Sequence, residues 1–430
     1  MSKAFLIAAP WSNSGKTTLT LGLSRWFVNQ GSSVQLFKCG PDYIDTIHHS
    51  RAARKAAINL DTVMMPEPHV RELFTQYEQF ADISIVEGVM GLFDGAVKDS
   101  GSSAAIAKLL DIPVILIVNA SSMAYTIAPI LHGLKTFDPE VKIAGVIFNF
   151  VKTASHYAFL KEACDEVGIT SLGYIPPNKE IAIPSRHLGL HIDDSFDTVI
   201  ENAALHIAAH ISTSKLLESA KMITAVPEKS AAIIIKNNVK TIAIAKDEAF
   251  SFTYVENLKW LENKGEVIYF SPIHDAELPE TNYIYLAGGY PELYLQQLSQ
   301  NTAMLSQIKT AADRGVTIYA ECGGMMYLGE TIIDDAGIGY PMANVFPFAT
   351  SMENKKLSLG YRKVLFKDLE IWGHEFHYSN IAKDEVVKAI GEVFSARGKE
   401  ISTKIYTYKN VYASYIHLYW AALKQEDICI

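Results

Sequence analysis

The stretch AFLIAAPWSNSGKTTLTLGL, Ala4 to Leu23, decides how the first half of the chain is read. It opens with an unbroken apolar run, passes through a polar turn, and resumes as a helical pattern behind Ser14, Gly15, Lys16, Thr17 and Thr18. A continuous apolar run suits a strand buried on both faces. A turn ending in Gly-Lys-Thr at the mouth of a helix is the setting a phosphate-binding loop needs. Backbone N–H groups at the helix start can take phosphate oxygens, and the helix dipole helps. Lys16 would reach the terminal phosphates and the Thr17 hydroxyl would ligate Mg²⁺. The full pattern asks for glycine where Pro10 stands, and Asn13 and Ser14 occupy places where related loops often carry glycine. The competing reading is a buried strand–turn–helix with a surface lysine.

Working outward, short apolar runs recur at Val34–Lys38, Ile83–Glu87, Val114–Asn119, Ala144–Asn149 and Ser171–Ile175. Helical patterns lie between them, at Lys16–Asn29, Met123–Thr136 and His156–Val167. This alternation predicts an α/β fold with a mostly parallel sheet covered on both faces. From Ser195 to Thr224 the pattern reads as purely helical, and Val226–Lys240 reads as a connector. A second α/β series starts at Thr241 with TIAIAKD, VIYFSP, YIYLAGG and TIYAEC. The expected division is therefore 1–235 and 236–430, in line with the two or three domains that 430 residues suggest.

Two loops gather acids near the phosphate loop. KCGPDYID, Lys38 to Asp45, follows the second strand, and VEGVMGLFDG, Val86 to Gly95, follows a later one. In open parallel sheets the carboxyl ends of the strands line the ligand crevice. Lys38, Asp42, Asp45, Glu87 and Asp94 would meet there. Clustered carboxylates repel unless a cation joins them, and Mg²⁺ held by Thr17 with Asp42, Asp45 or Glu87 would do so. Any single Asp could equally be a turn or cap.

The net charge is −9 with no basic block, which argues against nucleic acid or an anionic membrane as partner. Four cysteines, Cys39, Cys164, Cys322 and Cys429, lie far apart with no CxxC pair, so a reducing compartment is expected. No apolar run reaches membrane-spanning length, and the N-terminal one is too short for a span, so a cytoplasmic protein is expected.

The second half turns on TIYAECGGMMYLG, Thr317 to Gly329. A strand ending at Cys322 with glycines behind it predicts a tight strand-to-helix turn. That turn would expose the sulfur, set the Gly323 N–H beside it as an oxyanion donor, and favour thiolate through the helix N-terminus. AGGYPELY, Ala287 to Tyr294, could add a second donor from Gly288 or Gly289. His417 in ASYIHLYW, on a late β-like run, is the candidate base. A buried structural cysteine is the competing reading. GHEFHYS, Gly373 to Ser379, is no zincin motif, because its histidines stand three apart rather than four. If the segment is a strand, His374 and His377 face opposite sides, and substrate or interdomain contact competes with a structural role.

YAECGGMMYLG, LAGGYPELY and the late YIHL together resemble a class I glutamine amidotransferase domain joined to a P-loop ligase. With SGKTT, KCGPDYID, EGVMGLFDG, IPSRHLGL (Ile183 to Leu190) and GHEFHYS, the whole chain from the first strand to His417 resembles the cobyrinic acid a,c-diamide synthases. KCGPDYID separates it from the sister family of cobyric acid synthases. The resemblance implies a dethiobiotin synthetase-like amidoligase domain and a flavodoxin-like glutaminase domain. It implies glutamine hydrolysis at Cys322 with His417, and transfer of the ammonia to a ring carboxylate activated by ATP and Mg²⁺. Asp42, Tyr43, Asp45, Glu87 and Asp94 would serve metal binding, substrate contact or activation, with no division among them. Lys38, Arg186 and His187 would contact substrate carboxylates, and Asn149 resembles the adenine-reading position of related ATPases.

The chain departs from the family in places. Class I glutaminases often carry Glu two residues beyond the base, where this chain has Tyr419, which leaves a Cys–His dyad. Asn119 stands where relatives often have Asp, and Thr46 where Pro is usual. The partners implied are glutamine, ATP and a cobyrinic acid-type tetrapyrrole. Hydrogenobyrinic acid and nickel-sirohydrochlorin are alternative rings, and a homodimer is left open. A P-loop ATPase switch of the partitioning type is the reading from another class, though a switch has no use for Cys322 and His417.

Overall fold

Helices and strands alternate in the computed structural model, which describes residues 2–183, 195–223, 240–366, 369–382 and 387–423. Its internal contacts divide the chain into two units, Met1–Lys229 and Ser230–Ile430.

The first unit contains strands β1 (Ser2–Ala8), β2 (Val34–Cys39), β3 (Ile58–Leu60), β4 (Ile83–Glu87), β5 (Val114–Asn119), β6 (Ile143–Asn149), β7 (Ser171–Ile175) and β8 (Lys221–Ile223). Its helices are α1 (Lys16–Asn29), α2 (Tyr43–Ala53), α3 (Glu67–Glu78), α4 (Ser103–Leu110), α5 (Ile127–Phe137), α6 (Ala154–Val167), α7 (Ser195–His210) and α8 (Thr213–Ser219). The sheet order is β3-β2-β4-β1-β5-β6-β7, with all neighbours parallel. The central strands read as near-continuous apolar runs because helices cover both faces, so burial favours most side chains and not alternate ones, with Gln35, Lys38, Ser84 and Glu87 buried among them. Ile7, Ile85, Ile115 and Ile147 stack with Leu19 and Leu23 of α1 into one core. Two differences from the sequence reading stand out. The run after Ser195 is helical only as far as α8, and ends in β8, which pairs antiparallel with β1. Helix α5 begins at Ile127, four residues later than its apolar pattern suggested.

The second unit opens with β9 (Lys240–Ala245), α9 (Val255–Glu262), β10 (Gly265–Phe270), β11 (Tyr283–Leu286), α10 (Leu295–Gln300), α11 (Thr302–Arg314), β12 (Thr317–Glu321) and α12 (Gly323–Leu328). Shorter strands follow: β13 (Thr331–Ile333), β14 (Gly339–Pro341), β15 (Ala349–Ser351), β16 (Ser358–Phe366), β17 (Leu369–His377), β18 (Asn380–Ile381), β19 (Ala389–Ile390), β20 (Glu392–Ser395), β21 (Ile405–Tyr408), β22 (Val411–Ser414) and β23 (Ile416–Leu418). The main sheet runs β10-β9-β11-β12-β22-β21-β19, parallel from β10 through to β22. A second sheet, β20-β16-β17-β23, is antiparallel and carries the GHEFHYS segment on β17. It supplies Val364, Ile371, Val393 and Ile416 to a core shared with Ile242, Ile244 and Trp420. Of its strands, β23 matches the late β-like run read from sequence and β17 the segment considered as a strand, whereas β16 and β20 went unread because they mix polar with partly buried residues and lack a long apolar run. Among the described residues no helix is long and apolar enough to cross a membrane.

Candidate active sites of the two units

In the first unit, β1 delivers the chain into a turn that ends at Gly15, with φ of 101°, and α1 starts at once. No side chain caps α1, whereas Asp42, Ser102 and Thr153 cap α2, α4 and α6. The first amide groups of α1 thus stay available to an anionic ligand. Ser14 is buried and its hydroxyl donates to the Trp11 carbonyl at 3.0 Å. The Asn149 amide, from the end of β6, donates to the Ser14 carbonyl at 2.9 Å. A methyl at Gly15 would meet the Asn149 nitrogen at 2.2 Å, so position 15 is restricted in both space and backbone angle. Asn149 therefore braces the loop from behind in this structure. Thr18 lies in the first turn of α1.

Parallel register brings Lys38 of β2 and Ile7 of β1 opposite Glu87 of β4. The Lys38 ammonium lies 2.6 Å from Asp45 Oδ2 and 2.7 Å from Glu87 Oε1. His49 Nε2 meets Glu87 Oε2 at 2.6 Å, and the Thr17 hydroxyl donates to Glu87 Oε1 at 2.8 Å. Lys38, Asp45, His49 and Glu87 are all buried. The cation that joins the acids here is thus a side chain, Lys38, which the sequence reading had placed among substrate contacts. Burial raises the Glu87 carboxyl, but Lys38 and His49 outweigh it and hold the group well below the usual carboxylate range. Burial also opposes the Lys38 charge, and Asp45, Glu87 and Asp42 reverse that and push the ammonium up. His49 was missed from sequence. The signal available was its place one turn beyond Asp45 on the face of α2 turned toward β2.

Asp42 accepts from the Asp45 N–H at 2.9 Å as the cap of α2, and Tyr43 is buried beside it. Asp94 is exposed and accepts from the Gly91 N–H at 2.9 Å. Among the described residues no ion pair joins Asp94 to Lys38. The Lys16 ammonium donates to the Met90 carbonyl at 2.6 Å, in the same loop after β4. Arg186 and His187 lie outside the described residues. Among the described residues no three His, Cys, Asp or Glu side chains form a metal-type cluster. Thr17 and Glu87 nevertheless present two hard oxygens 2.8 Å apart, a donor set that fits Mg²⁺ with a nucleotide completing the shell.

In the second unit, Cys322 sits between β12 and α12 with φ of 47° and ψ of −104°, a left-handed backbone that a non-glycine residue rarely adopts. Its N–H donates to the Ser414 carbonyl at 2.7 Å, which ties the turn to the end of β22. A methyl at Gly323 would meet Pro291 Cδ at 2.7 Å and Gly289 N at 3.1 Å. The AGGYPE turn therefore lies against the residue after the thiol. A methyl at Gly288 would meet His417 Cε1 at 2.1 Å, so the imidazole packs on that glycine.

The thiol itself differs from expectation. Cys322 is 5% exposed, and its pKa is pushed up instead of down. Burial is the main cause, and the carboxylates of Glu292, Glu375 and Glu321 add to it against the Gly323 N–H. Helix α12 has only six residues and cannot outweigh three acids. Burial also lifts the half-buried Glu292 carboxyl to about 7.

His417 lies on β23 opposite His374 of β17, and the two rings stack at 5.1 Å. His374 Nδ1 meets the Tyr254 hydroxyl at 3.1 Å, and burial, then the neighbouring His417, hold its pKa well below the usual value. His377 packs face to face on Tyr415 at 3.6 Å and meets Glu375 at 2.8 Å. Both histidines thus make these contacts within this unit. Glu321, the residue before the thiol, was missed from sequence. Its Oε2 lies 3.6 Å from His417 Nδ1, and both side chains are buried.

Comparison with known proteins agrees with this division. Residues 5–190 match the CobQ/CobB/MinD/ParA nucleotide binding domain. Residues 241–424 match the CobB/CobQ-like glutamine amidotransferase domain. The chain is 40% identical to the cobyrinate a,c-diamide synthase of Caldanaerobacter subterraneus subsp. tengcongensis, over 97% of this chain and 95% of that protein. It is 40% identical to the enzyme of the same name from Salmonella typhimurium, with the same coverage. It is 38% identical to the hydrogenobyrinate a,c-diamide synthase of Brucella abortus biovar 1, over 97% of this chain and 98% of that protein.

Proposed function

The chain belongs to the cobyrinate a,c-diamide synthase family, and from that premise we propose that it amidates the a and c acetate groups of a cobyrinate-type macrocycle. At each site carboxylate, ATP, glutamine and water would become amide, ADP, phosphate and glutamate. The observation that carries the reading is the presence in one chain of an uncapped helix start behind Gly15 and a strained Cys322 turn, with His417 packed on Gly288 of the neighbouring glycine turn.

In the first unit the α1 amides, Lys16 and Thr18 bind the nucleotide phosphates. Thr17 and Glu87 would hold Mg²⁺, with Asp42 and Asp45 as further candidates, and the ion would neutralise phosphate charge. Asn149 keeps the phosphate loop in shape and, as its family resemblance implies, would read the adenine edge. Lys38, between Asp45 and Glu87, steers the ring carboxylate toward the phosphate it attacks, with Tyr43, Arg186 and His187 as further contacts. Asp94 orders the loop whose Met90 carbonyl takes Lys16. The carboxylate oxygen takes the γ-phosphoryl group as ADP leaves, and ammonia then attacks the carbonyl carbon of the acyl phosphate and expels phosphate.

In the second unit burial disfavours a free Cys322 thiolate, so the thiol needs a base. His417 takes the Cys322 proton as sulfur attacks the side-chain amide carbon. The oxyanion finds the N–H groups of Gly323 and Gly289, and Gly288 leaves room for the imidazole. His417 then gives the proton to departing ammonia, and water releases glutamate from the thioester. Ammonia made in this way is the free base, whereas ammonia in bulk water near neutral pH is largely ammonium and unreactive.

Cys322→Ala tests the division of labour. Glutamine-dependent amidation falls to background while synthesis from high ammonium persists at the native rate. Loss of both activities would refute it. The relatives named for hydrogenobyrinate, 38% identical, make the metal-free ring the second substrate to try.

A further inference from the structure

We propose that Glu321 is the positioning acid of the glutaminase, acting on substrate through His417; this rests on the glutaminase reading above. The usual place for such an acid, two residues beyond the base, holds Tyr419. Tyr419 is buried and packs edge-on against Tyr254 at 5.4 Å, so it carries no charge to the base. His374, whose ring stacks on His417 at 5.1 Å, is kept neutral by burial and has Tyr254 at its Nδ1.

Glu321 fills the role from the opposite direction. Strand alternation puts Tyr319 and Glu321 on one face of β12, and the Tyr319 hydroxyl donates to Glu321 Oε1 at 3.0 Å. The Tyr285 hydroxyl donates to Oε2 at 2.8 Å, and the Leu418 N–H donates to Oε1 at 2.9 Å. Three donors fix a carboxylate that is 1% exposed. One of them is the backbone group next to the base itself. The remaining direction of Oε2 faces His417 Nδ1 at 3.6 Å. That distance is longer than a hydrogen bond, as catalytic contacts often are before substrate closes the site. A carboxylate there holds Nδ1 protonated, which leaves Nε2 as the atom able to take the thiol proton, and it stabilises the imidazolium that results. The register follows from chain geometry: Glu321 ends β12 and Cys322 turns away at once, so one dipeptide supplies both nucleophile and orienting acid.

A clamp that merely ties β23 to β12 would look similar, and Glu321→Gln separates the two. The amide keeps an acceptor for Leu418 and Tyr319 but removes the charge and offers Nδ1 a donor. The assay compares glutamine-dependent and ammonium-dependent amidation, thermal melting, and the pH profile of Cys322 alkylation by iodoacetamide. Other titratable groups facing these residues are His374 on the base side, Tyr283, Tyr285 and Tyr319 around Glu321, and Glu292, Glu375 and Tyr415 on the thiol side. Glu321→Gln lowers kcat with glutamine by about 10²-fold, less than the ~10⁴-fold loss of the matching change in a serine protease because a thiol needs less help. KM for glutamine and the ammonium rate stay within about threefold, and Cys322 alkylation near neutral pH slows by a similar factor to kcat. Glu321→Asp recovers part of the loss. A glutamine rate within twofold of native, or a parallel loss of both activities with a lowered Tm and unchanged alkylation, assigns Glu321 to the clamp and overturns the proposal. A native protein unable to hydrolyse glutamine would instead remove the reading beneath it.

Discussion

Replacing Lys38 by methionine removes the cation from a buried group of acids. Lys38, Asp45 and Glu87 have side-chain exposures of 2%, 5% and 0%, at contact distances of 2.6 and 2.7 Å. Breaking a buried pair from one side costs about 3–5 kcal/mol, because the remaining charge is left without compensation. His49 still touches Glu87 at 2.6 Å and keeps the loss within that range. For a unit the size of Met1–Lys229, each kcal/mol moves Tm by about 2–4 °C. Lys38→Met should therefore melt about 6–20 °C below the native protein by calorimetry near neutral pH. The sign with pH follows from Glu87. Its folded pKa is depressed, so its contribution is complete above the unfolded value of ~4.3 and is lost as pH falls through the folded value. Without Lys38 the burial effect has less opposition, the folded pKa rises, and protonation relieves the strain. The gap between native and variant should thus narrow toward pH ~4. A Tm change under about 3 °C near neutral pH, or a gap that widens in acid, would refute the reasoning.

Two further substitutions probe the glycines. Gly288→Ala places a methyl 2.1 Å from His417 Cε1, so glutamine hydrolysis should drop at least about tenfold while ammonium-dependent synthesis holds, measured as the ratio of the two rates. Gly15→Ala meets Asn149 at 2.2 Å with φ of 101°, so nucleotide affinity by calorimetric titration should fall at least about tenfold while glutamine hydrolysis is kept.

Much of the first unit was legible because buried parallel strands read as apolar runs, and because Gly-Lys-Thr-Thr directly follows one of them. The identity of the residues at the strand ends was legible too, but their pairing was not. Lys38 continues an apolar strand, and only the register of β2 against β4 shows that its ammonium meets Glu87. The thiol was placed by its glycines, yet its acidity depends first on burial and then on Glu292 and Glu375 from distant stretches of chain, with the adjacent Glu321 adding to them. Glu321 hid in plain view because beside a nucleophile it reads as the last residue of a strand. Its role depends on β23 returning alongside β12, a contact about a hundred residues distant that no local pattern encodes.

The most direct test feeds native protein with cobyrinate, ATP, Mg²⁺ and glutamine carrying ¹⁵N in its side-chain amide, and weighs the ring product by mass spectrometry. The account predicts a diamide in which both new nitrogens are labelled, with ADP and phosphate formed alongside. ATP turnover with glutamine intact, and no amide on cobyrinate, hydrogenobyrinate or nickel-sirohydrochlorin, would contradict it and favour a nucleotide-driven switch.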